Sequence, residues 1–243
     1  MRVIAFASQK GGSGKTTLSG HMAVAAERAG AGPVVLVDTD PQGSLSEWWN
    51  ERADPAPAFA RTSISRLISD LDDLRAQGFK LAVIDTPPAI TMAIQSVVAI
   101  SDMVVIPTRP SPHDLRAAGA TVDLVERAGK PLVFVINAAT ARARITSDAA
   151  IALSQHGTVA PTTIHQRTDF ASSMIDGRTV LEIGKPGKSA EEVEALWRYL
   201  HDRLERTHRR TVFNGRSHPR SIGNGSAARS FGRKNDLADQ SAW

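Results

Sequence analysis

Gln9-Lys10-Gly11-Gly12-Ser13-Gly14-Lys15-Thr16-Thr17 follows the apolar run Val3-Ile4-Ala5-Phe6-Ala7 and leads into Leu18, Met22, Ala25, Ala26 and Ala29, which recur near helical spacing before Gly30. A glycine-rich loop that leaves a strand and opens a helix is the context a phosphate-binding loop requires. Gly11, Gly12 and Gly14 have no Cβ, so the backbone can curl and aim several amides at phosphate oxygens, and the helix N-terminus adds its partial positive charge. Lys15 is placed to reach β- and γ-phosphates, and the Thr16 hydroxyl to ligate Mg²⁺. The segment Lys10–Thr17 is therefore expected to hold ATP. The usual pattern begins with a glycine where this chain has Gln9, and it has no second lysine such as Lys10.

Working outward, four more short apolar runs recur between helical patterns: Val34–Val37, Leu81–Ile84, Met103–Ile106 and Leu132–Ile136. They are too continuous for half-exposed strands and too short for buried helices, so they read as strands covered on both faces. That predicts an α/β fold with a doubly wound, mainly parallel sheet flanked by helices. The Asp-Pro-Ala-Pro stretch between Asn50 and Ala60 reads as a surface loop. Ser189-Ala190-Glu191-Glu192 reads as a capping box opening a last helix with Val193, Leu196, Trp197, Leu200 and Leu204 on one stripe. Two strand ends carry carboxylates. Val34–Val37 runs into Asp38-Thr39-Asp40, whose alternate side chains can face the same crevice, and Leu81–Ile84 ends in Asp85, a candidate metal ligand.

The chain has 243 residues, 42% of them apolar, enough for one sizeable domain with its own core. It lacks cysteine, which excludes disulfides, thiolate zinc sites and iron–sulfur clusters, and with them an electron-transferring reductase. With its first strand next to Met1 and no signal or spanning segment in view, a cytoplasmic location is expected. The net charge of +4 is uneven: Thr207–Trp243 holds seven basic and two acidic residues, so the first 206 residues are near −1. Residues 1–206 are thus expected to form the catalytic domain and 207–243 a basic, flexible tail.

The loop with its added lysine resembles the deviant Walker A group of P-loop NTPases, which includes ParA partition proteins, MinD and the nitrogenase iron protein. Within that group the resemblance points to the ParA family. Asp38-Thr39-Asp40-Pro41-Gln42-Gly43-Ser44 is similar to its Asp-x-Asp-Pro-Gln-Gly segment and Asp85-Thr86-Pro87-Pro88 to its Walker B. Val105–Thr108 with Pro110-Ser111-Pro112, and Gly177-Arg178-Thr179-Val180, resemble later parts. The resemblance implies an ATPase using ATP and Mg²⁺, a homodimer formed with ATP, and a Lys10 that reaches phosphates bound by the other subunit. It implies that Asp40 positions the attacking water, that Asp38 supports the metal-side water network, and that Gln42–Ser44 form a switch. Asn137 falls where related folds read the base. In mechanism, Lys10, Lys15, Asp38 and Asp40 are the catalytic candidates, and Thr16, Asp85 and Asp38 the metal candidates.

The function so implied is an ATP-dependent dimerising switch. It would bind DNA non-specifically at the nucleoid, answer to a stimulating adaptor or centromere-binding protein, and segregate or position a cargo. The expected DNA contacts are Arg167, Arg178, Arg198, Arg203, Arg206, Arg209 and Arg210, with the tail as a second basic patch. No DNA-reading domain precedes the first strand, so a site-specific repressor role is not expected. A MinD-like membrane-surface ATPase is the alternative; it requires a terminal amphipathic helix that Val212, Phe213, Ile222, Phe231, Leu237 and Trp243 do not supply at helical spacing. A metabolic kinase or synthetase could use the same loop.

Overall fold

A computed structural model describes residues 1–88, 92–184 and 187–215, with side chains as far as residue 207. Seven strands form one parallel sheet: β1 (Arg2–Phe6), β2 (Val34–Asp38), β3 (Ala58–Arg61), β4 (Leu81–Asp85), β5 (Met103–Thr108), β6 (Leu132–Ile136) and β7 (Thr158–Val159). Their order is β3-β2-β4-β1-β5-β6-β7. The chain moves from β1 toward one edge, returns at β4, then crosses to the other edge through β5. The direction of winding therefore reverses beside β1 and β4, and ligands of open parallel sheets bind at the carboxyl ends of strands at such a point.

The central strands are buried almost throughout, and their side chains alternate between the two covered faces of the sheet. One face carries Ile4, Phe6, Leu36, Val83 and Val105 under α1 (Lys15–Arg28) and α8 (Lys188–Gly215). On the other face Val3, Ala5, Val37 and Ile84 meet Leu67 and Leu71 of α3 (Leu67–Ala76) and Val97 of α4 (Met92–Ile100). Farther along that face, Val104, Ile106 and Phe134 pack against α5 (Pro112–Arg127) and α6 (Arg144–Ser154). The expected stripe Val193, Leu196, Trp197, Leu200 and Leu204 is buried, and Gly30 ends α1 with φ at +75°.

Two expectations are corrected. The stretch 50–60 is not all loop, because Ala58–Arg61 pairs with β2 from Val35 to Asp38. That strand sits at the sheet edge and is only half-buried, so it shows no apolar run; its one aromatic, Phe59, stacks on Trp49 of α2 (Ser44–Asn50). Ser189 and Glu192 do not form a capping box. Helix α8 starts one residue earlier, Ser189 Oγ donates to Asp169 Oδ2 at 2.8 Å, and Glu192 reaches across to His165 and Arg167. Helix α8 itself runs to Gly215, while the chain divides into two compact units, Met1–Arg206 and Thr207–Trp243. The rest of the expected tail lies outside the described residues.

Candidate functional site

β1 delivers the loop at the reversal point. Gly12 and Gly14 take φ values of +73° and +95°, conformations that strongly favour glycine. Gly14 caps α1, and a Cβ there would also overlap the amide of Asn137. Asn137, at the end of β6, donates through Nδ2 to the Ser13 carbonyl at 2.7 Å, bracing the loop from behind. Ser13 Oγ is buried and without a hydrogen-bond partner among the described residues, a donor left available to a phosphate oxygen. The lysines separate. Lys15 is 7% exposed; burial lowers its pKa while Asp85 and then Asp40 oppose that shift. Lys10 is exposed and forms no ion pair among the described residues.

The three carboxylates gather opposite. Parallel pairing sets Asp38 beside Asp85, and Asp85 beside Phe6 at the start of the loop. Asp85 Oδ2 accepts from Thr16 Oγ1 at 2.6 Å, with Ser19 Oγ at 3.5 Å from Oδ1. Burial pushes the Asp85 carboxyl up to about 7; the Thr16 hydrogen bond opposes this and Asp38 adds to it. Asp38 Oδ1 and Oδ2 accept from the amides of Asp40 and Ser46 at 2.9 and 3.0 Å, so Asp38 anchors the β2–α2 loop. Asp40 sits at the mouth, half-buried, with Oδ1 accepting from the Gln42 amide at 3.0 Å.

Hard oxygen donors from Thr16 and Asp85 suit Mg²⁺, which takes few protein ligands and completes its shell with water and phosphate. Accordingly, no cluster of three or more His, Cys, Asp or Glu assembles a metal cage among the described residues. Thr16 and Asp85 would hold the ion, which when bound neutralises charge on the β- and γ-phosphates. Asp38 accepts one amide on each oxygen, which fixes it on the same side of the site and leaves each oxygen a second lone pair.

Behind the loop, a cavity of about 240 Å³ is lined by Gly14, Thr17, Arg109, Asn137, Gln166 and Phe170, among others. It adjoins the phosphate loop through Gly14 and Thr17. Arg109 and Gln166 were not anticipated; Arg109 directly follows a strand end, the same signal that exposed Asp38 and Asp85. A second depression, about 340 Å³, lies between the far end of α1 and α8 at Ala25, Arg28 and Trp197, remote from the loop.

The expected DNA-contact arginines divide. Arg167 is held by Glu192 at 2.6 and 2.8 Å and lines the same cavity behind the loop, which removes it from an open basic surface. Arg178 is exposed but paired with Asp176, and Arg203 Nη2 donates to Thr158 Oγ1 at 2.7 Å. Arg198 and Arg206 are exposed on α8. The side chains of Arg209 and Arg210 lie outside the described residues.

The family profile described as CbiA: CobQ/CobB/MinD/ParA nucleotide binding domain matches residues 4–180. The chain belongs to this family. Its domain is a nucleotide-binding one. It is similar to Maintenance of carboxysome distribution protein A of Halothiobacillus neapolitanus, 32% identical over 205 residues, covering 78% of this chain and 91% of that protein. The Chromosome-partitioning ATPase Soj of Thermus thermophilus is 30% identical over 160 residues, covering 53% of this chain and 64% of Soj. In fold, the chain resembles apo McdA of Cyanothece with a TM-score of 0.69, 15% identity, and coverage of 82% of this chain and 99% of that one. MinD of Pyrococcus furiosus superposes with a TM-score of 0.68 at 19% identity, over 83% of this chain and 98% of that one.

Proposed function

We propose that the chain is an ATP-driven dimerising switch that binds DNA without sequence preference and positions a cargo, a plasmid, a chromosome or a protein cluster. The observation that carries this reading is the separation of the two loop lysines: Lys15 is buried toward its own nucleotide site, and Lys10 is exposed beside it. A cation at the open edge of a nucleotide site can serve phosphates held by a second copy, which makes assembly a condition of hydrolysis. Relatives named for carboxysome distribution and chromosome partitioning support the positioning role.

In this reading, ATP closes a homodimer, the dimer holds DNA at the nucleoid, and an adaptor or centromere-binding protein triggers hydrolysis and release. Arg198 and Arg206 on α8 supply the DNA patch on the body. Among the described residues no helix is long and apolar enough to cross a membrane. The test is retention on non-specific duplex DNA with ATP, with ADP and without nucleotide. Retention with ATP alone is the expected outcome; equal retention in all three conditions, or none in any, overturns the switch.

A further inference from the structure

Glu192, near the start of α8, gathers four hydrogen bonds that neither the phosphate loop nor the magnesium site uses. Its Oε2 accepts from the His165 amide at 3.0 Å and from Arg167 Nη1 at 2.6 Å. Its Oε1 accepts from His165 Nδ1 at 2.7 Å and from Arg167 Nη2 at 2.8 Å. The Arg167 fork is thus bidentate, an arrangement that fixes orientation as well as adding strength. Burial favours protonating this carboxyl, yet the bonds from Arg167 and His165 outweigh it and hold the group below the ordinary glutamate range.

The residues so held, His165, Gln166 and Arg167, form one wall of the cavity behind the loop. The same segment is tied on its other side to the loop after β6. The Ala139 amide donates to the Ile164 carbonyl at 3.1 Å, and the Gln166 amide to the Ala139 carbonyl at 2.9 Å. Two residues before Ala139 stands Asn137, the brace of Ser13. A stretch of irregular backbone keeps one shape only when pinned from both sides, and here the pins are Ala139 and Glu192.

We propose that Glu192 is a positioning residue for the nucleoside end of ATP: it fixes the His165–Arg167 wall against base and ribose while leaving the phosphate loop to be shaped by Asn137. This rests on the chain's being an ATP-binding protein and on the cavity behind the loop being the nucleoside site. It does not depend on dimerisation or DNA, so failure of the switch leaves it standing.

The experiment compares two ligands on the full chain with Mg²⁺, ATP and inorganic tripolyphosphate, by titration calorimetry. Tripolyphosphate reports on the phosphate loop without a nucleoside. In Glu192→Gln the side chain keeps its size but loses its charge, and its NH₂ group faces donors. ATP is expected to bind about tenfold more weakly, the scale of a lost charge-assisted hydrogen bond, while tripolyphosphate affinity stays at the parental value. Correspondingly, KM for ATP rises and turnover at saturation stays within about threefold of the parent. An ATP affinity equal to the parent's overturns the proposal, and so does an equal loss for both ligands, which marks Glu192 as a support of the whole fold. Should Glu192→Gln not fold, Arg167→Lys keeps the positive charge without the fork. It must show the same selective loss, and parental ATP binding in it overturns the assignment.

Discussion

Lys10 and Lys15 belong to one loop and have opposite surroundings, which lets their substitutions be separated. Lys15→Ala removes the buried cation of the subunit's own site, so tight ATP binding is expected to disappear in calorimetry; parental affinity would detach the loop from nucleotide. Lys10→Ala keeps nucleotide binding in the monomer but is expected to lose ATP-dependent dimers in light scattering. Full dimerisation would return Lys10 to an ordinary surface charge. His21 makes a different, pH-dependent contribution. It is fully buried in α1, its Nδ1 donating to the Thr17 carbonyl at 2.7 Å and its Nε2 accepting from the Val180 amide at 3.2 Å. That pair of bonds needs the neutral ring, and burial lowers its pKa from 6.5 to about 4. The unfolded chain therefore takes up the proton first. Stability is complete above pH 6.5 and falls between 6.5 and 4, by on the order of 3 kcal/mol if His21 acts alone. Urea unfolding across that range should show the slope in the parent, and His21→Gln should lose the part due to this residue; an unchanged slope would clear His21 of the effect.

At the scale of elements, the β2–α2 loop is built as a unit. Asp38 pins it at both ends through the Asp40 and Ser46 amides, and Gly43, with φ at +70°, caps α2. Asp40 is left at the mouth of the site with little structural work of its own. Asp40→Ala is therefore expected to bind ATP normally and hydrolyse it on the order of 10²–10⁴ times more slowly, as loss of a positioned catalytic group does. Single-turnover hydrolysis at the parental rate would reduce Asp40 to a turn residue. The central elements could be read from sequence because the strands β1, β2, β4, β5 and β6 are buried on both faces and so appear as unbroken apolar runs. The same logic hid β3 and β7, which lie at the edges: one carries a single half-buried aromatic and the other has two residues. Among site residues, the loop and the three aspartates were legible because their chemistry sits at fixed offsets from strand ends. Glu192 was not. Its spacing from Ser189 matched a local helix cap, whereas its partners lie 25 and 27 residues earlier, brought near only by packing of α8.

For the whole molecule, charge decides how DNA would be held by the switch proposed above. Residues 216–243 contain five basic and two acidic residues, and α8 exposes Arg198 and Arg206. Ending the chain after Gly215 is expected to lower DNA affinity and flatten its salt dependence, each lost duplex phosphate contact removing about 0.9 from the slope. ATP-dependence should survive, because doubling a body patch in a dimer raises effective concentration whatever the tail does. Complete loss of binding would make the tail the main site, and an unchanged slope would remove it from the interface. The Asn137–Ser13 hydrogen bond, finally, has a consequence for biosynthesis. The phosphate loop is translated before its brace, which comes 124 residues later, and before its aspartate, bonded to Thr16, which comes 69 residues later. A nascent chain that carries the entire loop motif thus still lacks the strand that holds the loop in shape. ATP therefore cannot template the early stages of folding; it can reward only a chain translated beyond β6, so nucleotide capture waits on the second half of the polypeptide.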